Sequence, residues 1–156
     1  MRTGRPAYLR TFDYLGLHRY FLTFCTDRRR RLFVREETVE LVLQQILRAS
    51  RERAFAVVAY CFMPDHLHLL VEAQSRGSDA RRFIRDIKQY SGYQYARQFH
   101  EKLWQRYGFE HVLRDEETTQ VVAAYVVGNP VRAGLVRRVL DYPFVGSFVY
   151  DLSDLL

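Results

Sequence analysis

The order of segments along the chain predicts an α+β fold, a ferredoxin-like antiparallel sheet with helices packed on it. Three observations lead there. Short runs rich in aromatic and β-branched residues alternate with long stretches of helical periodicity, in the order strand, helix, strand, strand, helix, strand, helix. The two middle strand runs are separated only by the break Met63-Pro64-Asp65, which makes them a hairpin. A chain of 156 residues, 48% of them apolar, fills one core, so residues 1–156 are expected to form a single domain.

Residues 1–14 carry Arg2, Arg5 and Arg10 around a Gly4/Pro6 break and read as an irregular basic arm. The first strand is expected over residues 19–26, where Tyr20-Phe21-Leu22-Thr23-Phe24-Cys25 is dense in strand formers. Four cations follow, Arg28 to Arg31, either a solvated turn or a phosphate contact. Over residues 36–53, Val39, Val42, Leu43, Ile46 and Leu47 recur at helical spacing behind Glu36 and Glu37, which suit a helix N-terminus. Residues 55–62 form an apolar run of strand length. Residues 66–72 supply its hairpin partner, expected at the centre of the sheet.

Ser78 or Asp79 is placed to cap a helix over residues 80–101. On its wheel Ile84, Ile87, Ser91, Tyr95 and Phe99 share one side, while Arg82, Arg85, Gln89, Tyr93 and Arg97 share the other. The second side is either a plain solvated face or a strip for a nucleic-acid strand, with cations on phosphates and Tyr93 free to stack. Residues 103–113 predict a strand bent or bulged at Gly108, with His111 as an additional candidate acid or base. Asp115-Glu116-Glu117 predict the acidic first turn of a last helix, which should stop at Gly128 because Asn129 precedes Pro130. The remaining residues hold a basic turn at Arg132, Arg137 and Arg138, then an apolar end.

The 24 Lys and Arg against 18 Asp and Glu give a net charge of +6, which favours a polyanionic partner without naming one. Cys25 and Cys61 each sit inside an apolar run and are expected to be buried, inert thiols. No apolar run approaches the roughly 18 residues of a membrane helix, so no membrane partner and a cytoplasmic location are expected.

The chemistry is concentrated in His66-Leu67-His68. Side chains alternate across a strand, so both imidazoles point to one face while the leucine points to the other. Such a pair suits a divalent ion but leaves positions open for a third ligand and a reactive group. Tyr125 and Asn129, four residues apart, project from one side of the last helix and are the candidates. Asn129 offers an amide oxygen. The phenol of Tyr125 is a weak nucleophile at neutral pH and needs a phosphoryl target polarised by a cation.

The segments Tyr60-Cys61-Phe62-Met63-Pro64-Asp65-His66-Leu67-His68, Leu103-Trp104-Gln105-Arg106 and Tyr125-Val126-Val127-Gly128-Asn129-Pro130-Val131-Arg132-Ala133-Gly134 resemble the single-tyrosine, His-hydrophobic-His transposases, and among them the REP-associated tyrosine transposases. The likeness spans nearly the whole chain. It implies cleavage and rejoining of single-stranded DNA next to short hairpins, through a 5′-phosphotyrosine intermediate and without ATP. It further implies that Tyr125 is the nucleophile, that His66, His68 and Asn129 bind Mg²⁺ or Mn²⁺, and that the unit is a monomer or a homodimer near the nucleoid. Two other readings stay open: a non-catalytic relative that only holds hairpins, and a phosphodiesterase that uses water.

Overall fold

The computed structural model describes residues 12–156, so the basic arm expected over residues 1–14 lies almost entirely outside the described part. Five strands and four helices carry the architecture: β1 (Arg19–Cys25), α1 (Glu36–Arg53), β2 (Phe55–Met63), β3 (His66–Ala73), α2 (Ala80–Phe99), β4 (Phe109–Val112), α3 (Thr119–Val127), α4 (Asn129–Arg132) and β5 (Val145–Gly146). The sheet runs β4-β1-β3-β2-β5 with every neighbouring pair antiparallel, so the histidine strand is central as expected.

Strand alternation divides the sheet into two differently used faces. Tyr20, Leu22 and Phe24 of β1 pack with Leu67, Leu69 and Val71 of β3 beneath α1 and α2, which contribute Val42, Ile46 and Phe83. The α1 residues Val39, Val42, Leu43 and Ile46, read from their spacing, are all buried. On the other face Leu70, Ala59 and Cys61 pack against Ala123, Val126 and Val127 of α3. The larger apolar mass thus lies on one side, and the histidines share the other with α3, α4 and the C-terminal segment that contributes Val145 and Leu155.

Local chemistry sets the element ends. Asp79 caps α2, its carboxylate accepting the Arg82 N–H at 3.2 Å. Ala54 and His100, both at φ 57°, close α1 and α2 in the left-handed conformation. No helix among the described residues is long and apolar enough to cross a membrane.

Three sequence expectations need correction. Residues 103–113 are not one bent strand: Trp104 makes an isolated bridge to Thr26, the chain then leaves the ladder, and β4 covers only Phe109–Val112. Gly108 is the cause of the close return, since a Cβ there would lie 2.5 Å from the Thr23 carbonyl oxygen. Gly108→Ala must push β4 off β1, and urea titration is expected to show a loss of about 1–3 kcal/mol.

The acidic triplet does not begin the last helix either. The Glu117 carboxylate accepts from the Arg114 N–H at 2.9 Å and pairs with His111 at 2.9 Å, so residues 115–117 form a turn and α3 starts at Thr119. Nor does Pro130 force an extended residue. Gly128 stays right-handed at φ −76°, ψ −7°, and Asn129–Arg132 make a further helical turn with the proline in its first positions, where the missing N–H costs nothing.

Candidate active site

β3 brings His66 and His68 to one face as the alternation requires, and their Nε2 atoms stand 3.1 Å apart. Each ring is held by its other nitrogen. His66 Nδ1 lies 2.7 Å from an Asp65 carboxylate oxygen, and His68 Nδ1 lies 2.8 Å from the Thr23 hydroxyl on the neighbouring strand. Two donors each about 2.1 Å from one cation, at roughly a right angle, would be about 3 Å apart. The imidazole pair therefore fits two adjacent positions around a single divalent ion.

At His68 electrostatics favour the neutral, ligating form. Burial, reinforced by the neighbouring charges of His66 and Arg132, holds the His68 pKa down at about 3. Burial would raise the Asp65 carboxyl, but the hydrogen bond with His66 and the Arg29 guanidinium outweigh it and keep the group below the usual aspartate value. Arg29 reaches Asp65 at 3.0 Å from a loop in which Arg28 and Arg29 both adopt left-handed backbone, at φ 56° and 54°. Two successive non-glycine residues in that region cost of order 1 kcal/mol or more each, so the surrounding packing fixes the loop. Backbone bonds do this directly: Thr26 N–H donates to the Asp65 carbonyl and Phe33 N–H to the Pro64 carbonyl, both at 3.0 Å.

Helix α3 lies on the same face. Its Ala123, Val126 and Val127 are buried against β2 and β3, which turns Tyr125 outward with 59% of its surface exposed. Arg132, one turn into α4, sets its guanidinium 3.8 Å over the Tyr125 ring and donates to the Tyr125 carbonyl. The charge of Arg132 also reaches His68 and Cys61, which sit opposite each other on β3 and β2. Asn129, half buried, begins the turn between Tyr125 and Arg132. Tyr125 and Asn129 thus ride on helices that cover the sheet face of the imidazole pair, with the Tyr125 ring turned outward from that face.

The five residues expected on one side of α2 share an exposed face there. Arg82, Arg85, Gln89, Tyr93 and Arg97 are all exposed, with Arg97 over the Tyr93 ring at 5.7 Å. Arg82 and Arg85 stand near Asp79 and Asp86, at 3.5 and 3.9 Å, which offsets part of their charge. The helix covers the opposite face of the sheet from the histidines, so the strip does not line the imidazole pair. Sequence reasoning missed the supports Thr23, Arg29 and Arg132. Asp65 had a visible signal, its position next to His66; Thr23 and Arg29 had none, because their roles depend on strand register and a loop.

A family profile described as "Transposase IS200 like" matches residues 15–129. The chain belongs to the IS200-like transposases. Within that family it is similar to a chain assigned as a REP-associated tyrosine transposase in Haemophilus influenzae, 29% identical over 94% of this chain and 87% of that one. It is also similar to the REP-associated tyrosine transposase of Escherichia coli K12, 25% identical over 86% of this chain and 78% of the other. Among solved structures, a REP-associated tyrosine transposase bound to a REP hairpin superposes with a TM-score of 0.73 at 25% identity, covering 89% of this chain and 81% of that one. A transposase structure from Deinococcus radiodurans R1, 21% identical with a TM-score of 0.53 over 78% of this chain and 97% of its own, shares the fold. The ferredoxin-like sheet with its helices is thus the family's architecture, and membership makes the chain a DNA-acting enzyme.

Proposed function

We propose that this transposase cleaves and rejoins single-stranded DNA beside short hairpins, with Tyr125 as nucleophile. The observation that carries the reading is the imidazole pair, Nε2 to Nε2 at 3.1 Å, on the sheet face that also carries the Tyr125 helix. His66, His68 and Asn129 would hold Mg²⁺ or Mn²⁺, which when bound polarises a phosphoryl oxygen and neutralises charge that develops on it.

The chain's own groups then have definite tasks. Asp65 and Thr23 fix the imidazoles so that both Nε2 atoms stay directed to one point. Arg132 fixes the Tyr125 ring. The phenolic oxygen attacks the phosphorus, forming an O–P bond as the P–O3′ bond breaks; the phenolic proton passes to solvent and the departing 3′-oxygen takes one up. The 5′-phosphate remains on Tyr125 as an ester until a 3′-hydroxyl reverses the step, so bond energy is conserved. A hairpin partner is supported by the relative whose structure holds a REP hairpin. Exposure of Tyr125 suits a nucleophile that meets a large substrate, and the mode of assembly, monomer or homodimer, decides whether that tyrosine serves its own imidazole pair.

The test is to incubate the protein and Mn²⁺ with a hairpin-bearing single strand and separate the products under denaturing conditions. A protein–DNA adduct is expected. Cut strands with no adduct would mean water is the nucleophile, and bound, uncut strands would mean a hairpin holder.

The α2 strip gives a separate expectation. Arg82, Arg85 and Arg97 changed together to Ala should weaken single-strand binding and flatten its salt dependence by about 0.7 in logarithmic slope for each phosphate no longer neutralised. Fluorescence anisotropy over a salt series measures it, and an unmoved slope would put the strand on another surface.

A further inference from the structure

On the side of the sheet away from the histidines, a cavity of about 400 Å³ opens between α2 and β4. This lies within the roughly 300–1,000 Å³ of pockets that enclose small ligands. Its floor is apolar, made by Leu22, Phe24 and Ile84, and cations stand at its mouth, Arg85 and Arg106. Its wall carries one carboxylate, Glu110, whose register partner Leu22 puts it on this face. Tyr14 donates to one Glu110 oxygen at 2.5 Å, which fixes the carboxylate in place. Lys88 closes the rim by donating to the carbonyls of Gln105 and Arg106, at 3.1 and 2.8 Å, and so holds the loop that carries Arg106.

An apolar slot with cations at its mouth and a fixed acceptor inside matches one chemical class, an unpaired nucleotide. The base takes the slot, its phosphate the arginines, and Glu110 its amino hydrogens. We infer that this cavity binds one unpaired base of the DNA strand, selecting guanine, adenine or cytosine over thymine. Thymine is disfavoured because its single ring N–H lies between two carbonyl oxygens, which the carboxylate repels. Arg85 belongs to both the cavity mouth and the exposed strip of α2, so a strand along that helix reaches the slot without leaving cationic surface. The inference rests on the proposed single-strand binding but not on cleavage.

The probes are short fluorescent homopolymers of dT, dC and dA, titrated against the full chain in mildly alkaline buffer without added metal. The wild type is expected to bind dC and dA about five- to tenfold more tightly than dT, the lower part of the range for one specific base contact. Glu110→Gln, whose amide both donates and accepts, should bring dT to within about twofold of the others, while Arg106→Ala should weaken all three alike. The wild-type comparison needs no variant and so survives any loss of folding. Equal affinity for the three homopolymers would overturn the base slot and leave single-strand binding standing. No binding of any of them would remove both.

Discussion

Tyr125→Phe is expected to abolish the covalent protein–DNA adduct and to lower strand cleavage by at least about 10³-fold, as removal of a nucleophile does elsewhere. The ring is more than half exposed and its face is covered by Arg132, so losing one hydroxyl leaves the packing of Ala123, Val126 and Val127 untouched. Hairpin binding should therefore stay within about twofold, since no apolar surface or fixed charge is removed. The decisive comparison is a denaturing gel with labelled strand, run beside an anisotropy titration of the same variant. A Phe variant that still forms the adduct would take the chemistry away from this residue, whatever its rate.

The second large effect concerns the imidazoles. His66→Ala and His68→Ala should each weaken Mn²⁺ binding by more than about 100-fold, because half of a two-nitrogen anchor goes. Asp65→Ala should lose only about 10–100-fold, the range typical of groups that orient a ligand. Paramagnetic resonance of free Mn²⁺ during a titration reads this without DNA or turnover. Circular dichroism checks that the sheet persists, a point of most concern for His68, which is packed between Phe21 and Cys61. Equal Mn²⁺ affinity in wild type and both histidine variants would mean that the pair does not anchor the ion.

How much of this was legible beforehand follows from the range of the interactions. The limits of α1 and the β2–β3 hairpin could be read because periodicity and the Met63-Pro64-Asp65 break are local properties, and the five α2 residues are exposed for the same reason. The failures came where a specific tertiary or side-chain contact overrides the local pattern. The return of the chain at Gly108 is set by the Thr23 carbonyl, and the start of α3 by Glu117 being drawn to His111 and Arg114. Helical structure continues through Pro130 because the proline sits in the first positions of a new turn, Asn129–Arg132, where its missing N–H breaks no helical bond. Within the candidate site, the imidazole pair was visible in three letters of sequence. Its supports were not, since Thr23 lies 45 positions away and Arg29 acts from a left-handed loop. The two arginines Arg29 and Arg30, read as solvated or phosphate-facing, instead pair with Asp65 and Glu101.

The register has a practical consequence for handling the protein. Cys25 lies opposite His66 on β1 and Cys61 opposite His68 on β2, so the histidine strand runs between the two thiols. Strands two places apart in a sheet are about 9–10 Å from each other, beyond the roughly 7 Å at which a disulfide can close. Air oxidation thus cannot staple the chain to itself while the sheet is intact. A species that migrates faster on a gel without reductant would report that β3 had come out of the sheet.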